Sequence, residues 1–462
     1  MGSSPRERVG PLLLVLMAAS LAPAQEKAPV PADPAMPVTG EPQPGLEPFD
    51  RLMFSFMAAN KVPGGALAVT KGGRLVYARG FGYADIERKE PVEPTSLFRI
   101  ASVSKPLTGV AVLQLVERGK LKLDDKVFGL LKPEPHLEAG GSVDPRLKQI
   151  TILHLLHHAG GWDSSQSFDP MFRSVEIARA LGVPPPARPE HIIRYMMGKP
   201  LQFAPGERYA YSNFGYCLLG RVIEAAAQQP YEDYVRDHIL APLGITDMRI
   251  GRSLLRGRAP GEVRYYTPNA ATGPAVVGDP IGAPVPSPYG SMYVEGFDAH
   301  GGWLASAVDL ARFAAEFDDP ARCRLLRSES IEAMFARPEG ALGNEPDGKP
   351  KAAYYGCGWS VRPVGVKANH WHMGMISGTA ALLVRRHDGT NWAVLFNTHA
   401  GPDGKFLGAS LDPLVHPAAD AVAQWPEGDL FGKFRKGAPL KRPRLRVSSP
   451  AQGERAPSTE DR

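Results

Sequence analysis

From Val103 to Val116 almost every residue is apolar or small, and Lys105 is the only charged one. A stretch of that length and composition is satisfied by burial on all sides, so it reads as an interior helix rather than a surface one. At its start stands Ser102-Val103-Ser104-Lys105, the only Ser-x-x-Lys of the chain. Ser102 and Lys105 are three residues apart and so fall on neighbouring positions of one helical face. A serine hydroxyl is a poor nucleophile until a base takes its proton. A lysine that is desolvated and near the positive end of a helix has its charged form disfavoured and can be that base. The competing reading is a serine cap beside a surface lysine. Two more motifs, near residues 211 and 372, weigh against it.

With 462 residues, 43% of them hydrophobic and 22% charged, the chain can bury a sizeable core. The net charge of +5 is uneven: residues 426–462 hold nine Lys/Arg against five Asp/Glu. The rest is close to neutral, which excludes nucleic acid as a partner of the core. Arg6 and Arg8, the apolar run 10–21 and the small-residue pair Ala22 and Ala24 before Gln25 have the pattern of an export signal, so residues 1–24 are expected to be a signal peptide and the protein periplasmic or secreted. Three cysteines (Cys217, Cys323, Cys357) suggest buried thiols rather than a disulfide framework. Residues 25–46, rich in Pro, Ala and Glu, read as a disordered spacer, and 47–425 as one folded domain. Residues 426–462 read as a basic disordered tail, seven of whose basic residues lie between Lys433 and Arg446. Contact of that tail with an anionic membrane or cell-wall surface is a minor expectation.

Within the domain, a helix is expected around 49–57, then a hairpin of 65–70 and 75–80 about the turn Lys71-Gly72-Gly73-Arg74. Residues 117–210 read as helical and loop-rich, 214–227 as a helix, 261–302 as an arching segment, and 303–317 as a return to helix. Strands are expected at 358–364, 378–386 and 392–398. Two strands near one chain end and three near the other, around a helical middle, predict an α+β fold whose antiparallel sheet is built by both ends.

Two further groups of residues complete a possible reaction centre. Tyr211-Ser212-Asn213 is the only Tyr-x-Asn in the chain. A phenol beside a lysine ammonium has its pKa lowered and can relay a proton, while an amide can hold the lysine and bond a substrate carbonyl. His372-Met373-Gly374 runs into the C-terminal strand pair. Gly374 lets backbone amides come close to a substrate, and the Met375 N–H can join that of Ser102 as an oxyanion hole.

In order and spacing, Phe98–Pro106, Tyr211–Asn213 and His372–Gly374 resemble the three motifs of the serine β-lactamase and penicillin-binding-protein-like hydrolases, closest to the class C β-lactamase branch with its esterase and peptidase relatives. Val62-Pro63-Gly64-Gly65, the run Ile152 to Gly161 and Gly301-Gly302-Trp303-Leu304-Ala305-Ser306 fit the same family, and the resemblance spans about residues 48–400. It implies the β-lactamase/transpeptidase-like fold, Ser102 as acylated nucleophile, Lys105 as its proton acceptor or electrostatic partner, and Tyr211 as a second acid/base. Asn213, His372, Gly374 and Met375 are implied to bind substrate, a small molecule or peptide, with no cofactor. Which of Lys105 and Tyr211 is the base in each step stays open. His372 stands where antibiotic-hydrolysing members commonly carry lysine, which favours an esterase or peptidase over a true β-lactamase. The alternative from another class is a catalytically idle cell-wall or peptide-binding module. His154, His157 and His158 have metal-ligand spacing, but Leu155 stands where a zinc protease needs glutamate, so no metal site is expected.

Overall fold

A computed structural model describes residues 36–434. The expected signal peptide, the first part of the spacer and the basic run beyond Phe434 lie outside the described residues. The first helix, α1 (Glu47–Asn60), carries Pro48 in its first turn with Glu47 and Asp50, and it ends where Lys61 turns left-handed at φ 51°. Phe49, Met53, Phe56 and Met57 recur at helical spacing and are its buried residues. They pack on one face of a sheet.

That sheet runs through β1 (Val38–Thr39), β2 (Gly64–Lys71), β3 (Arg74–Asp85), β4 (Tyr354–Tyr355), β5 (Ser360–Val364), β6 (Lys367–Ile376), β7 (Thr379–Arg385) and β8 (Thr390–Phe396), in the spatial order β1-β3-β2-β8-β7-β6-β5-β4. Both ends of the chain supply it, and every pairing along this path is antiparallel. The central strands β2, β7 and β8 are buried along almost their whole length because both faces are covered. Leu67, Val69, Leu382, Val384, Trp392 and Val394 meet α1 and the C-terminal helix α5 (Leu407–Asp420), whereas Ala66, Ala68, Leu383, Ala393 and Leu395 belong to the core shared with the helical middle. That middle includes α2 (Lys105–Glu117), α3 (Asn213–Ala227) and α4 (Ala307–Ala315).

The run expected to be an interior helix is one. In α2, Leu107, Val110, Ala111, Val112, Leu113 and Leu115 are at most 2% exposed. Full burial is worth about 1.5–3 kcal/mol for each Leu or Val, which fixes α2 as the axle of the helical middle. Among the described residues no helix is long and apolar enough to cross a membrane.

Four expectations need correction. The spacer does not reach residue 46, because Val38 and Thr39 pair with Phe81 and Gly80 of β3 and Leu46 is fully buried. The folded part also continues past 425: Asp429 accepts the Leu75 N–H, and Phe431 is buried under the Arg312 guanidinium. Both segments are read as loose from their polar and proline-rich composition, yet a few apolar side chains anchor them. Residues 303–317 are not all helix, since Trp303–Ala305 forms a strand with Phe98–Arg99 before Ser306 caps α4. Finally, β6 is a full strand of 10 residues. Its run of Lys, Asn, His, Met and Gly holds only Ile376, at its end, as a β-branched residue, so the usual strand signal is weak.

Candidate active site

The polypeptide reaches Ser102 along Phe98–Arg99, which is held rigidly. The buried Arg99 guanidinium donates to the carbonyls of Pro288 (2.6 Å) and Arg252 (2.7 Å) and lies 3.8 Å from the Glu262 carboxylate. The segment expected to arch over the molecule is thereby tied to the strand leading to the serine. Ala101–Ser104 forms a single tight turn that feeds directly into α2. Ala101 sits at φ 45°, an unfavourable conformation for a residue with a side chain.

Lys105, the first residue of α2, has no exposed surface. Its Nζ lies 3.1 Å from Ser102 Oγ, 2.8 Å from Asn213 Oδ1 and 2.8 Å from the His300 carbonyl. Burial pulls its pKa well below the usual lysine range, with Asp169 acting in the opposite direction. The two shorter contacts are to oxygens that only accept. In the neutral amine both N–H groups are therefore committed to Asn213 and His300, and the lone pair is left facing the Ser102 hydroxyl. That arrangement suits a base taking the serine proton.

Asn213 opens α3, where Ser212 caps the helix by accepting the Gly215 N–H at 3.1 Å. Behind this segment His158 Nδ1 accepts the Ser212 N–H at 3.1 Å, which places the ring proton on Nε2. Tyr211 is fixed between that ring, 4.3 Å away between centroids, and Lys105, whose Nζ lies 4.7 Å from the phenol ring centre. Its hydroxyl contacts Ser102, which favours the ionised phenol, but burial is the larger effect and raises the pKa. The expected lowering by the lysine is therefore corrected. Lys105 lies over the ring face rather than at the oxygen, and a depressed lysine is a weak source of positive charge.

On the opposite side β6 closes against the serine. Its first half is paired with β5 as far as Trp371, so 372–376 forms a local open edge. His372 and Gly374 face the helical middle. A Cβ on Gly374 would stand 2.1 Å from the Ile100 carbonyl oxygen and 3.2 Å from the Ser102 nitrogen, so only glycine lets β6 approach the Ser102 backbone this closely. Met375 has a 41% exposed side chain, and strand alternation turns it to the other face. What it can offer the site is its backbone.

His372 differs from the expectation of a residue lining the cleft. It is 5% exposed, its Nδ1 donates to its neighbour's carbonyl at Met373 (2.7 Å), and its Nε2 accepts from the Tyr355 hydroxyl (2.8 Å). Both nitrogens are spent in the neutral form. Burial, aided by the Lys105 charge, lowers its pKa to about 3. Protonation therefore supplies no substrate-binding cation near neutral pH. Because the folded pKa lies below the unfolded value of about 6.5, the unfolded chain binds more protons between those two values. Folding stability from His372 is thus complete above about pH 6.5 and is lost as pH falls toward 3, by up to about 1.4 kcal/mol per pH unit. Denaturant titrations of wild type and His372→Gln from pH 7 to 4 should show wild type losing stability faster. Parallel curves would contradict the buried neutral imidazole.

Sequence reasoning missed Asp169 and Tyr355. Asp169 Oδ2 accepts from Asn213 Nδ2 at 2.7 Å and its Oδ1 from the Met171 N–H at 3.0 Å. Its only local signal is the Asp-Pro pair of a capped turn, which carries no hint of the site. The three histidines of the metal-like spacing have separate partners: His154 Nδ1 accepts the Thr151 N–H, His157 faces the Cys357 thiol at 3.9 Å, and His158 holds Ser212. Burial pushes the Cys357 thiol up to about 12, so it is not a thiolate. Beside Asn213 and Tyr211 opens a small recess with room for little more than a water molecule, whose walls include Trp162, Phe168 and Pro170.

A family model described as beta-lactamase matches residues 49–413. The chain belongs to the beta-lactamase family. Among relatives of this family, penicillin-binding protein 4* of Bacillus subtilis (strain 168) is 32% identical over 205 residues, 44% of this chain and 40% of that protein. The match thus spans well under half the length of such curated relatives. The octameric penicillin-binding protein homologue from Pyrococcus abyssi superposes with a TM-score of 0.58 at 27% identity, over 80% of this chain and 77% of that one. D-amino acid amidase from Ochrobactrum anthropi SV3 gives 0.61 at 23% identity, over 82% and 98%, and shows the shared fold. The β-lactamase family is one of serine hydrolases, and the sheet from both chain ends with its helical middle is the family's fold.

Proposed function

We propose that this protein is an exported serine hydrolase that acts through an acyl-enzyme on Ser102. The observation that carries the reading is the buried Lys105, held by Asn213 and the His300 carbonyl with its third position on Ser102 Oγ. Ser102 Oγ attacks the carbonyl while its proton passes to Lys105. The N–H groups of Ser102 and Met375 hold the developing oxyanion. Tyr211, a neutral phenol in contact with Ser102, hands its proton to the leaving group while the proton taken up by Lys105 restores the phenol, so both groups are neutral again when water releases the acyl group by the reverse path. The opposite pKa directions of Lys105 and Tyr211 support the lysine as first proton acceptor. A catalytically idle binding module has no use for a desolvated lysine at a serine hydroxyl. The export reading rests on the signal pattern in residues 1–24.

Esters and amides without a carboxylate beside the scissile bond are the proposed substrates, ahead of β-lactams. The support is His372, which is neutral and bonded on both nitrogens where a fixed cation would hold such a carboxylate. A charge-assisted contact of that kind is worth about 1.5–3 kcal/mol, or roughly ten- to a hundredfold in kcat/KM. Comparing p-nitrophenyl butyrate, a D-amino-acid p-nitroanilide and nitrocefin should show nitrocefin as the poorest of the three. Nitrocefin turned over faster than both others would overturn the preference.

A further inference from the structure

We propose that Asp169 is a positioning residue whose carboxylate fixes the direction of the Asn213 amide and so keeps the Lys105 lone pair on Ser102. An amide side chain has two nearly isosteric ends, and a half-turn about its last torsion exchanges them. With the oxygen toward Lys105, Asn213 accepts one N–H of the neutral amine. With the nitrogen there, two donors confront each other, and the amine must rotate its lone pair away from Ser102. Nothing in Asn213 itself selects between these states. Asp169 does, because both of its oxygens only accept: Oδ1 is taken by the Met171 N–H at 3.0 Å, and Oδ2 by Asn213 Nδ2 at 2.7 Å. The selected amide then presents Oδ1 to Lys105 at 2.8 Å. The carboxylate is partly buried at the edge of the recess beside Asn213, and desolvation raises its pKa against the bonds from Asn213 and Met171 and the attraction of Lys105. A carboxylate kept there against that cost fits a fixed orienting task better than a surface cap does.

This inference rests on the acyl-enzyme reading above, and the test separates the two. Wild type, Asp169→Asn, Asp169→Glu and Ser102→Ala are compared on one p-nitrophenyl ester, with kcat, KM and thermal midpoint measured from pH 5 to 10. An asparagine at 169 has one acceptor oxygen for two donors, so Asn213 loses its fixed direction. Asp169→Asn should lower kcat by about ten- to a hundredfold, the usual loss when the orienting partner of a reactive group is removed, with KM little changed. Asp169→Glu keeps two acceptor oxygens and should recover part of the rate.

The pH profile adds a readout that packing alone does not move. Lys105 is faced by Ser102 on its own turn, by Asn213, Tyr211 and Tyr216 around α3, by His158 and His300, by His372 on β6 and by Asp169. The histidines are held toward their neutral forms and the phenols' pKa values are raised, so Asp169 is the negative charge that favours the ammonium. Its removal should move the acidic limb of kcat/KM to lower pH. Unchanged kcat in Asp169→Asn, or a rate loss matched by lost thermal stability with an unmoved limb, overturns the proposal while leaving the acyl-enzyme reading intact. Full activity in Ser102→Ala overturns that reading instead.

Discussion

Ser102→Ala should lower kcat by at least about ten thousandfold on any substrate the enzyme turns over, as loss of the nucleophile does in other serine hydrolases. The thermal midpoint should stay within a few degrees of wild type. Ser102 is partly exposed, and the bond between its hydroxyl and the lysine is one of three that Nζ makes. Loss of a small hydroxyl at such a site removes little packing, so rate and stability separate. A variant that keeps more than a hundredth of wild-type activity would place the chemistry on another residue.

Lys105→Met should also abolish useful turnover, lowering kcat by about a hundred- to ten-thousandfold, because the serine then lacks its proton acceptor. The stability outcome is set by two opposed effects. Replacing a buried ionisable group with an apolar chain is neutral or stabilising by about 1–4 kcal/mol. Leaving Asn213 Oδ1 and the His300 carbonyl without a donor costs about 1–3 kcal/mol for each group left unsatisfied. Unfolding free energy is therefore expected to change by an amount between a gain of about 2 kcal/mol and a loss of about 5 kcal/mol. Activity lost together with most of the stability would show instead that Lys105 is a structural strut.

The residues brought together at the candidate site were unequally legible in the sequence. Ser102 and Lys105 could be read because one helical turn joins them and an apolar run declares their burial. Tyr211 and Asn213 carried a short pattern of their own, and their meeting with Lys105 depends on α2 packing against α3. Asp169, Tyr355 and the His300 carbonyl were illegible for physical reasons. The first sits in a capped turn like many others, the second in a two-residue strand, and a backbone carbonyl leaves no trace in residue identity. His372 was located correctly but its environment was not, because its neutral state is set by Tyr355 across the sheet edge. The direction of the Tyr211 shift failed similarly: adjacency to a lysine is a pairwise inference, whereas desolvation comes from the whole enclosure. In the fold, the helix at 105–117 and the hairpin of β2 and β3 were legible from apolar runs and a Gly-Gly turn. The domain limits were not, since the pairing of Val38 and Thr39 and the burial of Leu46 and Phe431 come from a few residues scattered in polar and proline-rich segments.

Intact-protein mass after treatment with a fluorophosphonate, followed by peptide mapping, tests the central claim most directly. The account predicts one adduct per chain in wild type, mapped to Ser102, and none in Ser102→Ala under the same conditions. An adduct of equal yield in Ser102→Ala, or one mapped in wild type to any residue other than Ser102, would contradict it.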